Sequence, residues 1–192
     1  MKKRVVITGL GAITPIGKTA NETWNGIKNK ECGIDEIKLF NAENFKTKFD
    51  AEVKDFNSLD YLDMKQAKRL DRSSQFAIIA GREALKDSGI TTENTDFNNV
   101  GVFVSSGIGG LTTIQQQCEI NYEKGNNRVS PMFIPMAISN MPAGNISIEF
   151  GFKGESMAIV TACSSSTHAI GEGYKTIKHG YEDVIVAGGS EA

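Results

Sequence analysis

Short apolar runs rich in β-branched residues alternate along this chain with longer stretches of helical spacing, and no other feature restricts the fold as strongly. The apolar runs lie at residues 5–7, 100–104, 157–160 and 184–186. The helical stretches lie at residues 20–30, 75–88, 111–124, 137–150 and 164–179. Strands that are apolar on both faces are typical of a sheet covered by helices on both sides. The sequence therefore predicts an α/β fold.

The chain has the length of one domain, which we assign to residues 1–192. Residues from about 32 to 62 are irregular and polar, and they carry the isolated aromatics Phe40, Phe45, Phe49 and Phe56. We interpret this stretch as an excursion packed by its own aromatic side chains. The last apolar run leads directly to the end of the chain, so that strand has no crossover to a following one. We therefore expect the chain to be part of a larger protein.

Composition excludes several classes of partner and location. The 21 basic and 23 acidic residues give a net charge of -2, which does not favour nucleic acid or an anionic membrane. No apolar segment approaches the roughly 18 residues needed to cross a bilayer. The cysteines Cys32, Cys118 and Cys163 are few and widely spaced, which predicts a reducing, cytoplasmic compartment and neither a disulfide framework nor a zinc site. We expect no metal and no cofactor.

Cys163 lies at the junction between the apolar run at 157–160 and the helical stretch that follows. Amide groups and the dipole at a helix N-terminus stabilise a thiolate. Ala162 and Ser164 on either side are small enough to admit a substrate. Free cysteines are more often small buried hydrophobes, but this position favours a nucleophile.

The two histidines are poor partners for that thiol. His168 is five residues beyond Cys163, which on a helix rotates it by about 140°, and His179 is about 24 Å along the axis. We expect both to be structural or exposed to solvent.

Two glycine-rich segments invite a nucleotide-binding interpretation. Gly9 and Gly11 follow a predicted strand, but the third fingerprint glycine is missing and Pro15 falls where the helix would run. The loop at 105–110 lacks the lysine and hydroxyl of a phosphate-binding loop. We expect this loop to let the backbone approach another surface, with Ile108 as an apolar lining residue. A tight turn without a ligand is the alternative.

Four cations, Lys65, Lys68, Arg69 and Arg72, follow the spacing that places side chains on one helical face. Such a run is usually a solvated surface, and an anionic partner is the alternative. An N-cap at Asp71 or Ser73 would begin a new helix and remove Arg72 from the face.

Five segments together resemble one enzyme family, the elongating β-ketoacyl-acyl carrier protein synthases, over the N-terminal half of those proteins. The matching segments lie at residues 4–11, 106–110, 130–135, 161–165 and 186–191, in the order found in the family. The resemblance implies a thiolase-like fold, in which two similar α/β halves form a five-layered αβαβα core, and a homodimer.

The resemblance also implies roles for individual residues. Cys163 would accept an acyl chain from acyl carrier protein, and decarboxylated malonyl-acyl carrier protein would then attack the thioester. The backbone amide of Cys163 would form half of an oxyanion hole. Ile108, Phe133, Ile134 and Ala162 would line the acyl pocket, with Phe133 and Ile134 crossing the dimer interface.

Lys65, Lys68, Arg69 and Arg128 resemble the family's docking surface for the acidic carrier protein. The family's two catalytic histidines and its lysine belong to the C-terminal half, which this chain does not contain. We therefore expect negligible condensing activity from residues 1–192 alone. A noncatalytic module for dimerisation or carrier binding and a thiolase that uses coenzyme A are the alternatives.

Overall fold

The computed structural model describes residues 3–192, in which helices and short strands alternate. The helices are Ala20–Asn29 (α1), Met64–Arg69 (α2), Arg72–Ser88 (α3), Leu111–Lys124 (α4), Phe133–Ala137 (α5), Met141–Phe150 (α6) and Ser165–His179 (α7). The strands are Asp35–Glu36 (β1), Phe49–Asp50 (β2), Val100–Ser105 (β3), Ser156–Met157 (β4) and Val184–Gly189 (β5). Single 3-10 turns lie at Ser58–Asp60, Phe97–Asn99 and Asn126–Arg128.

The main sheet is parallel, in the order β4-β3-β5. Strand β3 is central, and every one of its residues is buried. Val102 pairs with Ser156 on one side and with Val186 on the other. The carboxyl ends of the three strands therefore meet at one edge, where ligand sites of α/β sheets usually form.

Helices cover both faces of this sheet. Because side chains alternate along a strand, Val184 and Val186 face the core formed with α3 and α6, whereas Ile185 faces Gly173 of α7 on the opposite side. Phe103 and Ile146, among the largest buried side chains, have at most 1% exposure. The α/β architecture predicted from the sequence is thus confirmed.

The predicted strand at residues 5–7 does not form. Val6 and Ile7 are 59% and 80% exposed, and a cavity of about 530 Å³ separates residues 5–10 from β5 and α7. Carboxylates of α3 hold the following loop instead, because Asp87 accepts from the backbone N–H of Leu10 at 2.9 Å. The segment is therefore tied to a helix rather than paired with the sheet edge.

Of the predicted helix at 137–150, residues 141–150 form α6, whereas Ala137 is the last residue of α5. Pro142 lacks an N–H and disfavours helical backbone at the residue before it, so it is tolerated only in the first turn of α6. The apolar run at 157–160 is also shorter as a strand than predicted. It leaves the ladder after Met157, since the N–H of Ile159 donates to the Ser105 hydroxyl at 2.8 Å.

The excursion at residues 32–62 contains the antiparallel pair of β1 and β2. Phe56 packs edge-on against Phe76 of α3, with ring centroids 4.8 Å apart. Phe40 and Phe45 contact each other but remain more than half exposed. Only part of the predicted aromatic packing is therefore present. Across residues 3–192, no helix combines the length and the apolar character required to cross a membrane.

Candidate active site

Cys163 lies in a sharp turn between the sheet and α7. Ala162, immediately before it, has φ of 53°, in the left-handed region that costs a non-glycine residue roughly 1–2 kcal/mol. Two serines brace the turn: the Ser164 hydroxyl donates to the Thr161 carbonyl at 2.8 Å, and the Ser165 hydroxyl donates to the Ala162 carbonyl at 2.6 Å. The strained backbone presents the cysteine side chain at the surface.

The thiol and the amide of Cys163 are both available to a ligand. The residue is exposed, and α7 begins two residues later, at Ser165. No group within residues 3–192 accepts a hydrogen bond from the N–H of Cys163, whereas the N–H groups of Ser164 and Ser165 close the turn. An amide left open at the start of a helix is suited to stabilising negative charge on a bound group.

The glycine loop, residues 105–110, lies beside this turn. A Cβ added to Gly107 would lie 3.6 Å from the Cα of Ala162. At the other end of the loop, a Cβ at Gly109 would lie 2.2 Å from the Ala137 carbonyl oxygen, and Gly109 has φ of 93°. The loop thus packs its backbone directly against α5, as the sequence analysis predicted for these glycines.

The residues predicted to line an acyl pocket occupy elements around the turn. Ala162 belongs to the turn itself, and Ile108 is carried by the glycine loop with 60% exposure. Phe133 and Ile134 lie in α5, where Phe133 is half-buried and Ile134 is 57% exposed. The structure therefore brings the cysteine turn, the glycine loop and the end of α5 together.

The hydrogen bonds and ring contacts of the two histidines are with residues other than Cys163. The Nδ1 atom of His168 lies 2.6 Å from the Thr161 hydroxyl, so this ring contacts the side chain two residues before Cys163. The His179 ring packs near that of Tyr181. We expected both histidines to be structural or exposed to solvent, and His168 is exposed; its contact with Thr161 had no sequence signal, because the two residues meet across a turn.

Two carboxylates make contacts around the glycine loop that the sequence did not predict. Glu191 accepts hydrogen bonds from Ser106 and from the backbone of Gly107. Asp71, which is only 5% exposed, accepts from the Thr113 hydroxyl at 2.6 Å. Both contacts join segments more than 40 residues apart, so no local pattern could have predicted them.

The glycines at the start of the chain have a packing role. A Cβ at Gly9 would lie 2.2 Å from the Ala84 carbonyl oxygen, and one at Gly11 would lie 1.9 Å from that of Ala80. Only glycine can approach the α3 backbone so closely, which accounts for both residues without a nucleotide. Within residues 3–192, no group of three or more His, Cys, Asp or Glu side chains is arranged to hold a metal ion.

The basic face predicted on one helix is divided between two. Lys65, Lys68 and Arg69 are exposed on α2, and within the described part of the chain none lies within 4 Å of a carboxylate oxygen. Asp71 caps α3, so Arg72 turns inward, stacks on the rings of Phe56 and Phe76, and has its pKa lowered by burial. Arg72 is therefore removed from the face, as an N-cap at Asp71 predicts.

Arg128, the fourth cation of the predicted docking surface, is exposed in the 3-10 turn that follows α4. It thus belongs to a different element from the three cations of α2. The acids near those cations are used for capping, since Asp63 caps α2 through the N–H groups of Lys65 and Gln66. The three cations of the α2 face are therefore exposed and, within the described residues, form no ion pair with a carboxylate.

Comparison with known proteins identifies the family of this chain. The family model of the β-ketoacyl synthase N-terminal domain matches residues 2–192. The chain is 42% identical to 3-oxoacyl-[acyl-carrier-protein] synthase 2 of Synechocystis sp., over 100% of this chain and 46% of that protein. The protein of the same name from Staphylococcus aureus strain N315 is also 42% identical, over 99% of this chain and 46% of its own length.

Solved structures agree with these matches. The ishigamide ketosynthase/chain length factor superposes with a TM-score of 0.89 at 25% identity, covering 100% of this chain and 48% of that one. A type II PKS acyl-carrier protein in complex with its ketosynthase gives a TM-score of 0.85 at 25% identity, with 100% and 51% coverage. The chain thus spans about half the length of the relatives it matches, and its fold is the N-terminal half of a thiolase-like ketosynthase. The chain belongs to the β-ketoacyl synthase family.

Proposed function

We propose that this chain supplies the nucleophile of a fatty-acid-elongating β-ketoacyl-acyl carrier protein synthase, an acyltransferase. The observation that carries the proposal is the exposed Cys163 in a strained turn, with its own backbone N–H open to a ligand. The family membership and the 42% identity to 3-oxoacyl-[acyl-carrier-protein] synthase 2 support the same reaction.

The chemistry proceeds in two transfers. The Cys163 thiolate attacks the carbonyl carbon of an acyl thioester, and the carrier's thiol leaves as the new thioester forms. Malonyl carrier protein then loses CO2, and the resulting carbanion attacks the Cys163 thioester. A carbon–carbon bond forms, the cysteine thiolate is released, and the product is a β-ketoacyl carrier protein.

The Cys163 N–H is suited to the charge that develops in both transfers. Each attack places negative charge on the carbonyl oxygen, and a fixed amide donor stabilises that charge without reorganising. Removing one such donor in other enzymes costs about 10²–10³ in kcat. Ala162 fixes this amide, because its left-handed backbone sets the direction of the following peptide group.

Acyl carrier protein is the proposed partner, and the face of Lys65, Lys68 and Arg69 is its proposed docking surface, with Arg128 as an additional contact. One structural relative is a ketosynthase in complex with its acyl-carrier protein, which supports this class of partner. Surface cations steer an acidic protein and are screened by salt. A homodimer, which rests on the family resemblance, and a cytoplasmic location, which rests on the few and widely spaced cysteines, complete the proposal.

The test is a condensation assay on the full-length protein with acyl and malonyl carrier substrates. We expect a 3-oxoacyl product from the wild type and none from Cys163→Ala, while Cys118→Ala retains activity. Coenzyme A thioesters replace the carrier substrates in a parallel reaction to detect a thiolase. Equal rates with coenzyme A would support the thiolase, and carrier binding without any product would support a noncatalytic module.

A further inference from the structure

Glu191 connects the end of β5 to the glycine loop. Its Oε1 accepts a hydrogen bond from the Ser106 hydroxyl at 2.9 Å, and its Oε2 accepts one from the Gly107 backbone N–H at 2.7 Å. We propose that Glu191 is a positioning residue that fixes the loop carrying Ile108 beside Cys163 and thereby determines how longer acyl chains are accommodated. This inference rests on the proposed acyl transfer to Cys163.

The hydrogen bonds that Glu191 accepts from Ser106 and Gly107 form a clamp on the glycine loop. Within this clamp, the Ser106 hydroxyl is held in one orientation. Ser106 is 2% exposed, and its oxygen accepts from the Gly109 N–H at 2.8 Å while its hydrogen is donated to Glu191. A hydroxyl has one hydrogen to donate, so the carboxylate determines how this group is oriented. Glu191 therefore acts on both ends of the segment that carries Ile108, at Gly107 directly and at Gly109 through Ser106.

The clamp lies next to the reacting cysteine. A Cβ at Gly107 would lie 3.0 Å from Glu191 Oε2 and 3.6 Å from the Cα of Ala162, so Gly107 is adjacent to both the carboxylate and the cysteine turn. A shift of Gly107 would therefore change both its packing against Ala162 and the position of the neighbouring Ile108.

The backbone that presents Glu191 is itself anchored. The N–H of Ser190 donates to the Ser105 carbonyl at 2.9 Å, and the Ser190 hydroxyl donates to the Ser73 carbonyl at 2.6 Å. The carboxylate is thus held from β3 and from the first turn of α3. The two hydrogen bonds that Glu191 accepts therefore fix the glycine loop relative to the protein core.

The experiment compares Glu191→Ala and Glu191→Gln in the full-length enzyme, measuring kcat/KM for transfer of acetyl, octanoyl and palmitoyl groups from carrier protein to Cys163. We expect Glu191→Ala to lower the palmitoyl value at least tenfold and the acetyl value less than threefold. Glu191→Gln should recover part of the loss, because its amide oxygen still accepts from Gly107. A palmitoyl change below twofold, or equal losses for all three groups, would overturn the proposal.

Glu182→Ala is the matched control, because Glu182 also accepts a backbone N–H at 2.7 Å, that of Glu155, near the opposite end of β5. It should leave the chain-length profile unchanged. Hydrogen exchange gives a readout independent of catalysis: amides of the glycine loop should exchange at least tenfold faster in Glu191→Ala and at the wild-type rate in Glu182→Ala. If the wild type transfers no acyl group, the proposed function fails, and unchanged loop exchange would separately refute the clamp.

Discussion

The buried carboxylate of Asp71 should be among the most sensitive points for stability. Its Oδ1 accepts from the backbone N–H and the hydroxyl of Ser73 at 2.9 and 2.8 Å, and its Oδ2 accepts from the Thr113 hydroxyl at 2.6 Å. Gly110 packs against the same carboxylate, since a Cβ there would lie 2.7 Å from Oδ2. One side chain thus joins the start of α3, the glycine loop and the first turn of α4.

The magnitude follows from these contacts. Asp71→Ala removes an N-cap worth about 1 kcal/mol. It also leaves two buried hydroxyls without their acceptor, at about 1–3 kcal/mol each. Because the three contacts share one side chain and are not additive, we expect a loss of about 3–5 kcal/mol in the free energy of unfolding.

Urea denaturation of the purified protein, followed by circular dichroism, measures this loss. Asp71→Asn keeps an oxygen for the cap and should cost about 1–2 kcal/mol, comparable to the loss of one hydrogen bond to a charged group. In a Thr113→Val background, Asp71→Ala should cost about 1–2 kcal/mol less, because the Thr113 hydroxyl is no longer stranded. A loss below about 1 kcal/mol, or the same loss in both backgrounds, would refute this account of the buried carboxylate.

Three further predictions concern surface charge and backbone packing. Lys68→Glu with Arg69→Glu should raise the KM for acyl carrier protein at least tenfold, with little change in kcat, because the α2 face loses two positive charges and gains two negative ones. Lys54→Gln should move the pKa of Asp35 from about 2 toward its ordinary 3.8, measured by NMR titration, because the hydrogen bond and the positive charge from Lys54 are removed. Gly11→Ala should lower the thermal midpoint by 5 °C or more, roughly the effect of 1–2 kcal/mol, because its Cβ would overlap the α3 backbone.

Matched variants separate these effects from general damage. The double variant Lys28→Glu, Lys86→Glu makes the same net charge change as Lys68→Glu with Arg69→Glu, but on α1 and α3. It should leave the KM for acyl carrier protein unchanged. A rise in KM equal to that of the α2 double variant would show a nonspecific charge effect. In Gly144→Ala the added Cβ would contact only the Met141 side chain, at 3.7 Å. This variant should therefore keep or raise the thermal midpoint. An equal fall for Gly144→Ala and Gly11→Ala would contradict the packing argument.

The sign of the Asp35 effect follows from its lowered pKa. The folded protein favours the charged carboxylate, so the stabilisation is present above the ordinary pKa of 3.8 and is lost as the pH falls toward about 2. Lys54→Gln should therefore reduce stability near neutral pH and flatten its pH dependence between about 4 and 2. An unchanged Asp35 titration would show that Lys54 does not hold the carboxylate in solution.

Local signals predicted much of the fold. The helix predicted at residues 111–124 forms with those bounds, and the helix predicted at 75–88 ends at Ser88, as α3 does. The buried run at 100–104 became β3 because apolar side chains on both faces leave few alternatives to a covered strand. Cys163 was identified because a strand, small residues and a helix follow one another directly along the chain.

The missing strand at residues 5–7 and the overlooked contacts of Glu191 have a common physical cause, which is competition from distant parts of the chain. Residues 5–7 have the composition of a strand, but Glu83 and Asp87 of α3 bind the backbone of the following loop. The contacts of Glu191 with the glycine loop span 84 and 85 residues. Such pairings depend on how the layers stack, and no pattern within one segment encodes them.

Mass spectrometry of the acyl-enzyme tests the central claim most directly. The full-length protein is incubated with acyl carrier protein bearing a saturated chain, digested, and its cysteine peptides are mapped for the added acyl mass. We predict a thioester on the Cys163 peptide, none on the peptides of Cys32 or Cys118, and no adduct in Cys163→Ala. An unmodified Cys163 under turnover conditions, or an acyl group that persists in Cys163→Ala, would contradict it.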